Sequence, residues 1–191
     1  MNLNDWYSKG LTFEQYREKM TVNKEVMLSI YERFTLNEDD ISFLEKIQAR
    51  QLKVIVLTED WCGDALVNNP ILVRIAEAAN MAVRFLLRDQ NLELMDQYLT
   101  NGTARSIPIF IFIDQEGNEK AVWGPRAQKV QKLVEQEKAT LPPSDAQNFK
   151  EKQLEFIQRL TKTYSQDESL WEHISYSIIT TLKEKDLHHQ E

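Results

Sequence analysis

The spacing of apolar residues changes period several times along the chain, and each change marks an element. Thr12 precedes a helical pattern, and Gln15 stands where a capping box needs it. Phe13, Tyr16, Met20, Met27, Ile30, Tyr31 and Phe34 predict one or two amphipathic helices through 12–34. Asn37 before Glu38, Asp39 and Asp40 predicts a helix start. An Asn side chain caps free N–H groups, and acids favour the positive end of the helix dipole. Ile41, Leu44 and Ile47 supply that helix's apolar face.

The run Lys53 to Thr58 is short, apolar and β-branched, as in a buried parallel strand. Residues 64–80 return to helical spacing, with Pro70 inside, where it should kink the helix. Val83 to Leu87 predicts a second strand, and Leu92 to Leu99 a short helix. Ile109 to Ile113 and Glu119 to Trp123 predict two more strands, joined at Gly117-Asn118 as a hairpin. Strands alternating with helices predict an α/β fold on a parallel sheet, with the hairpin adding an antiparallel edge. Helices are predicted at 126–139, 145–164 and 168–183, and a frayed tail from Glu184. Leu141-Pro142-Pro143-Ser144-Asp145 separates the first two of these helices.

Composition narrows the function. Lys and Arg number 23 against 30 Asp and Glu, a formal charge of −7, which argues against a broad duplex-DNA surface. The longest apolar run, Ile107 to Ile113, is too short for a membrane helix, which needs about 20 residues. The N-terminus has no apolar stretch of signal-peptide length. A soluble, cytoplasmic protein is expected. Cys62 is the single cysteine, so no disulfide can form within one chain, and no zinc site with two Cys ligands can exist there.

Cys62 follows the 53–58 strand and opens the 64–80 helix. Backbone N–H groups at a helix N-terminus favour a thiolate, so an exposed, helix-capped thiol is expected there instead of an inert core cysteine. Glu59, Asp60 and Asp64 flank it, and their charge opposes the thiolate. Asp64 is either a first-turn acid serving its helix or a polar recognition element beside the sulfur. Their spacing with Cys62 is not diagnostic of a metal site. Trp61 is either a groove wall or an aromatic packed over the helix start, and Trp123 is expected in the core. His188-His189 with Glu191 is read as a solvated tail, and His173 as a partly exposed helix residue.

Trp61-Cys62-Gly63-Asp64-Ala65 after an apolar strand, with Pro70 in the next helix, resembles the active-site segment of the thioredoxin family. Arg105-Ser106-Ile107-Pro108 before the 109–113 strand resembles that family's cis-proline loop, and the closing hairpin matches as well. The resemblance covers 38–139. It implies a thioredoxin-like central sheet flanked by helices, with helical extensions at 1–37 and 140–191, the latter packing on the core or on a partner. It also implies a cis Ile107–Pro108 bond and a groove at Trp61, Gly63, Asp64, Ile107 and Pro108 facing the nucleophile Cys62. Three departures fall on the chemistry. Ala65 replaces the second cysteine, Val56 the buried acid, and Asp64 the usual proline. The family's first strand is also not evident before residue 38.

Two functions follow. One is monothiol thiol–disulfide exchange, in which Cys62 attacks and an external thiol such as glutathione resolves. The other is a non-catalytic module that binds an extended peptide beside Ile107-Pro108 by main-chain hydrogen bonds. A low Cys62 pKa would favour the first, and an ordinary or raised one the second. The expected partner is a protein or a low-molecular-weight thiol or disulfide, with no nucleic acid, membrane, metal or other cofactor involved. The oligomeric state is left open.

Overall fold

The computed structural model describes residues 2–187. The tail residues His188, His189 and Glu191 lie outside the described residues. Three helices come first, α1 (Leu3–Lys9), α2 (Phe13–Lys19) and α3 (Lys24–Arg33), followed by α4 (Glu38–Ile47). The central part runs β1 (Lys53–Thr58), α5 (Gly63–Ala78), β2 (Ala82–Leu87), α6 (Leu92–Met95), β3 (Ile109–Ile113), β4 (Glu119–Trp123) and α7 (Gln128–Lys138). Two long helices close the chain, α8 (Phe149–Gln166) and α9 (Glu168–Leu187). The fold is thus α/β, a sheet flanked by helices, with extra helices at both ends. Among the described residues no helix is long and apolar enough to cross a membrane.

Local signals act as their chemistry dictates. Thr12 and Gln15 form a reciprocal capping box on α2, and the Asn37 side chain accepts from the Asp40 N–H at the start of α4. Helix α1 has no counterpart in the sequence reading. Asn2 caps it, and it buries only Leu3 and Trp6, too few apolar positions to register as a period.

The sheet order is β2-β1-β3-β4. β1 and β2 are parallel, whereas β3 is antiparallel to β1, and β4 to β3. This corrects the expectation that only the hairpin edge would be antiparallel. A parallel β3 would need a crossover back to the start of β1. Instead the 88–108 connection stays at the C-terminal end of β1 and β2, where β3 begins with Ile109 opposite Leu57. That end of β1 leads directly into Cys62. Leu11 exchanges two backbone hydrogen bonds with Phe85 at the β2 edge (2.9 and 2.8 Å), an isolated bridge and not a strand.

Strand alternation divides the core between two faces. Val54, Val56, Phe85, Phe110, Phe112, Ala121 and Trp123 join the larger layer with α3, α5 and α9. Ile55, Leu57, Leu86, Ile109, Ile111 and Ile113 pack with Leu3, Trp6, Leu94, Met95 and Ile107, and Cys62 touches this smaller cluster. Trp123 is buried, stacks on Phe110 and donates to Ser177 Oγ of α9 (2.9 Å). Helix α9 also places Leu170, Trp171, Ile174 and Ile178 in the larger layer, while His173 on the same helix is exposed.

Asp60 ties the N-terminal helices to the loop that carries Cys62. One carboxylate oxygen accepts from the Thr21 N–H (2.7 Å), the Thr21 hydroxyl (3.1 Å) and the Val22 N–H (3.3 Å). Asn23 Nδ2 in turn donates to the Asp60 carbonyl (2.8 Å). Asp60→Ala is expected to lower the unfolding free energy by about 1–3 kcal/mol in urea titration, since it strands several donors at once. A loss under about 0.5 kcal/mol would mean that these bonds are replaced by water without penalty.

Candidate functional site

Cys62 is the N-cap residue of α5 and lies at the junction that β1 and α5 create. It is half-buried, a correction to the exposed thiol expected from sequence. Its Sγ is 3.4 Å from the Ile107 carbonyl oxygen, which can accept the thiol proton. The Ile107–Pro108 peptide is cis, as is Gly124–Pro125. Ile107 and Pro108 are both buried, so the loop before β3 forms the floor beneath the sulfur more than an open wall.

Asp64 is only 8% exposed, and this position carries most of the local design. Arg126 Nε donates to Oδ1 (2.8 Å) and Arg126 Nη2 lies 2.6 Å from Oδ2, a bidentate pair. Tyr164 of α8 donates its hydroxyl to the same Oδ1 (2.7 Å). Arg126 is steadied by Gln131 Oε1 at 2.9 Å. The turn that delivers Arg126 is itself fixed. Gly124 adopts φ +135°, and a Cβ there would run into the Pro108 carbonyl oxygen. The buried Asn68 of α5 donates to the Pro125 carbonyl (3.1 Å).

Helix α8 roofs the start of α5. A cleft of about 230 Å³ opens between them, lined by Trp61, Cys62, Asp64, Val134, Phe156 and Leu160 among others. Trp61 is 52% exposed, with the Arg88 guanidinium 5.0 Å from its ring centroid, so it stands at the rim and is not packed over the helix start. Gly63 faces Tyr164, whose ring would lie 4.0 Å from a Cβ at that position.

The opposing influences on the thiol resolve against the helix terminus. Burial pushes the Cys62 thiol up, the Asp64 carboxylate adds to the shift, and together they bring it to about 11. The backbone N–H groups of Ala65 and Asp64 and the Arg126 charge pull the other way and do not prevail. Sequence placed the N–H groups correctly but held no sign of how far the thiol is removed from water. Burial between Asp64 and its neighbours also pushes the Tyr164 hydroxyl well above its usual value, so it remains a donor.

The other acids are separately engaged. Glu59 accepts from the Asp89 N–H (2.9 Å), and burial raises its pKa. Asp60 faces the N-terminal helices. Among the described residues no cluster of three or more His, Cys, Asp or Glu is placed to hold a metal ion. Beneath the site, Val56 is fully buried. Near it lies a neutral polar group that sequence reading missed. Asn69 donates to Thr58 Oγ1 (2.9 Å), and the Tyr16 hydroxyl is 3.5 Å from the same atom. Arg126 and Tyr164 were missed as well. Tyr164 sits in an apolar stripe that reads as core, and Arg126 opens the predicted 126–139 helix, whereas the observed helix starts at Gln128 and leaves Arg126 in the preceding turn.

A thioredoxin profile matches residues 10–139, more than half of the chain. The chain belongs to the thioredoxin family. The match begins before residue 38 and takes in α2, which packs against β2, and α3, which packs on α5. No curated protein matches the sequence. Two solved structures share the fold. One is an HIV epitope-scaffold, with TM-score 0.68 and 14% identity over 96% of this chain and 98% of that one. The other is a protein of unknown function from Pseudomonas aeruginosa, with TM-score 0.63 and 16% identity over 86% of this chain and 95% of that one. The thioredoxin match ends at α7, so α8, the roof of the cleft, lies outside it.

Asp64→Asn removes the carboxylate charge beside Cys62 and leaves the Arg126 charge in place. Both changes favour the thiolate. The iodoacetamide rate at pH 8 is expected to rise about threefold if the pKa falls by about one unit, a tenfold gain in thiolate partly offset by lower nucleophilicity. The same change breaks a largely buried ion pair and should cost about 3 kcal/mol in unfolding. An unchanged rate in a folded variant would mean that Asp64 does not act on the sulfur.

Proposed function

We propose that this chain is a monothiol thioredoxin-like protein in which Cys62 takes up a sulfur-bearing group as a mixed disulfide and an external thiol releases it. The observation that supports this is the position of Cys62. Cys62 is a helix N-cap residue that lines a cleft, touches the loop of Ile107 and Pro108, and is only partly buried. In the forward step the thiolate attacks one sulfur of a disulfide. A new S–S bond forms to Cys62, the old S–S bond breaks, and the departing thiolate takes a proton from water. Ala65 carries no sulfur, so the second thiol comes from outside. A protein or a small-molecule disulfide would serve as partner, and a reducing cytoplasm would supply the resolving thiol.

A pKa near 11 shapes this chemistry without abolishing it. Relative to an ordinary thiol, the thiolate at neutral pH is about 100-fold scarcer. Its intrinsic nucleophilicity is about eightfold higher, which leaves attack about tenfold slower. A high-pKa thiol is also a poor leaving group, so a group once attached to Cys62 stays attached longer. The geometry thus suits capture and retention more than rapid turnover.

The same raised pKa, together with Val56 and Ala65, favours a second reading. In it the domain binds an extended peptide beside Ile107-Pro108 and Cys62 never exchanges. Intact-mass kinetics with 2-hydroxyethyl disulfide separate the two. The expected result is one adduct on the folded protein, formed about tenfold more slowly than on free cysteine at pH 7. It should persist after the reagent is removed and be released by dithiothreitol. No adduct on the folded protein would leave the binding module. In the insulin assay, turnover with thioredoxin reductase as sole electron source is expected to be absent. Efficient turnover there would contradict a mechanism that needs an outside thiol.

A further inference from the structure

The cleft beside Cys62 has a character of its own, because one side of it is built by α8, which lies outside the thioredoxin match. Phe156, Ile157 and Leu160 of α8 form its outer wall, Val134 of α7 its end, and Trp61 its rim. The charged groups at its base, Asp64 and Arg126, are joined to each other in a bidentate pair, so neither offers a free charge to a ligand. Its volume of about 230 Å³ exceeds the ~150 Å³ of a cavity that admits benzene. Cys62 is one of the residues that line it, so a group bonded to its sulfur is within reach of this space.

We propose that the cleft is the binding site for an uncharged apolar group, about the size of a benzene ring or a branched alkyl, carried on the sulfur that reacts with Cys62. This rests on the exchange reading above and gives it a substrate class. Helix α8 is then the specificity element, and Leu160 and Phe156 are the residues that set the preference. A group bearing charge would have to lose its hydration against apolar walls with no unpaired counter-charge at the base. Lys138 lies at the mouth, where water can still reach a charge.

Methanethiosulfonates test this, because they vary the transferred group at constant leaving group. The Cys62 thiolate attacks the sulfenyl sulfur and a new S–S bond forms. The bond to the sulfonyl sulfur breaks, and its electron pair departs on methanesulfinate. The readout is the ratio of rate constants for the benzyl and methyl reagents, divided by the same ratio for free cysteine. The expected value is about tenfold, the order of gain from burying most of a ring. The 2-sulfonatoethyl reagent should fall below the methyl reagent on the same scale. Leu160→Gln should bring the benzyl preference down by at least about threefold, and Ile157→Gln at the exposed rim serves if the first variant does not fold. A benzyl preference equal to that of free cysteine overturns the proposal while leaving exchange at Cys62 intact. If no reagent modifies the folded protein, the exchange reading fails, and methyl NMR with benzyl alcohol decides the cleft alone. Shifts confined to Ile157 and Leu160 uphold an apolar site, and their absence overturns it.

Discussion

A carboxylate in the first turn of α5 must be satisfied away from bulk water, and much of the structure around the site answers that requirement. An ionised acid so placed is costly unless it is paired and fully hydrogen-bonded. Asp64 receives a bidentate guanidinium from the turn after β4 and a hydroxyl from α8. The first draws the Gly124-Pro125-Arg126 turn against the start of α5. The second fastens a helix of the C-terminal extension over the same point. Both fastenings converge two residues from Cys62.

The consequences for the thiol follow from that convergence. In an open thioredoxin-like site the helix terminus would dominate the sulfur's electrostatics. Here loss of solvent, with the Asp64 charge, outweighs the backbone N–H groups and the Arg126 charge together. One bonded knot thus does two things. It neutralises an acid beside the nucleophile, and it holds the helix that lines the neighbouring cleft. It also creates the apolar cleft, because α8 must span the gap between α7 and the α5 terminus to reach Asp64.

The fold was legible where a single element carries its own signal. The β-branched run at 53–58, the Asn37 cap and the Gly117-Asn118 hairpin are local, and each forms within a residue or two of its expected place. The direction of β3 was not legible, since periodicity is blind to which end of the sheet a connection returns to. Of the site, the Cys62 junction could be read because strand, loop and helix are contiguous. Arg126 and Tyr164 stand 62 and 100 residues from Asp64, and nothing in their own neighbourhoods marks them as its partners. The balance of influences on Cys62 was not legible for the same reason. Helix termini are visible in a sequence, whereas burial imposed by distant parts of the chain is not.

The central claim is that the roofed site keeps Cys62 protonated at neutral pH. An NMR titration of the protein carrying ¹³C at the Cys62 β-carbon reports this directly, without any reagent having to enter the cleft. The account predicts a midpoint near 11, with the thiol form alone present through pH 8. A midpoint at or below about 8.5, the value of a free thiol, would show that the helix terminus prevails over loss of solvent at the sulfur.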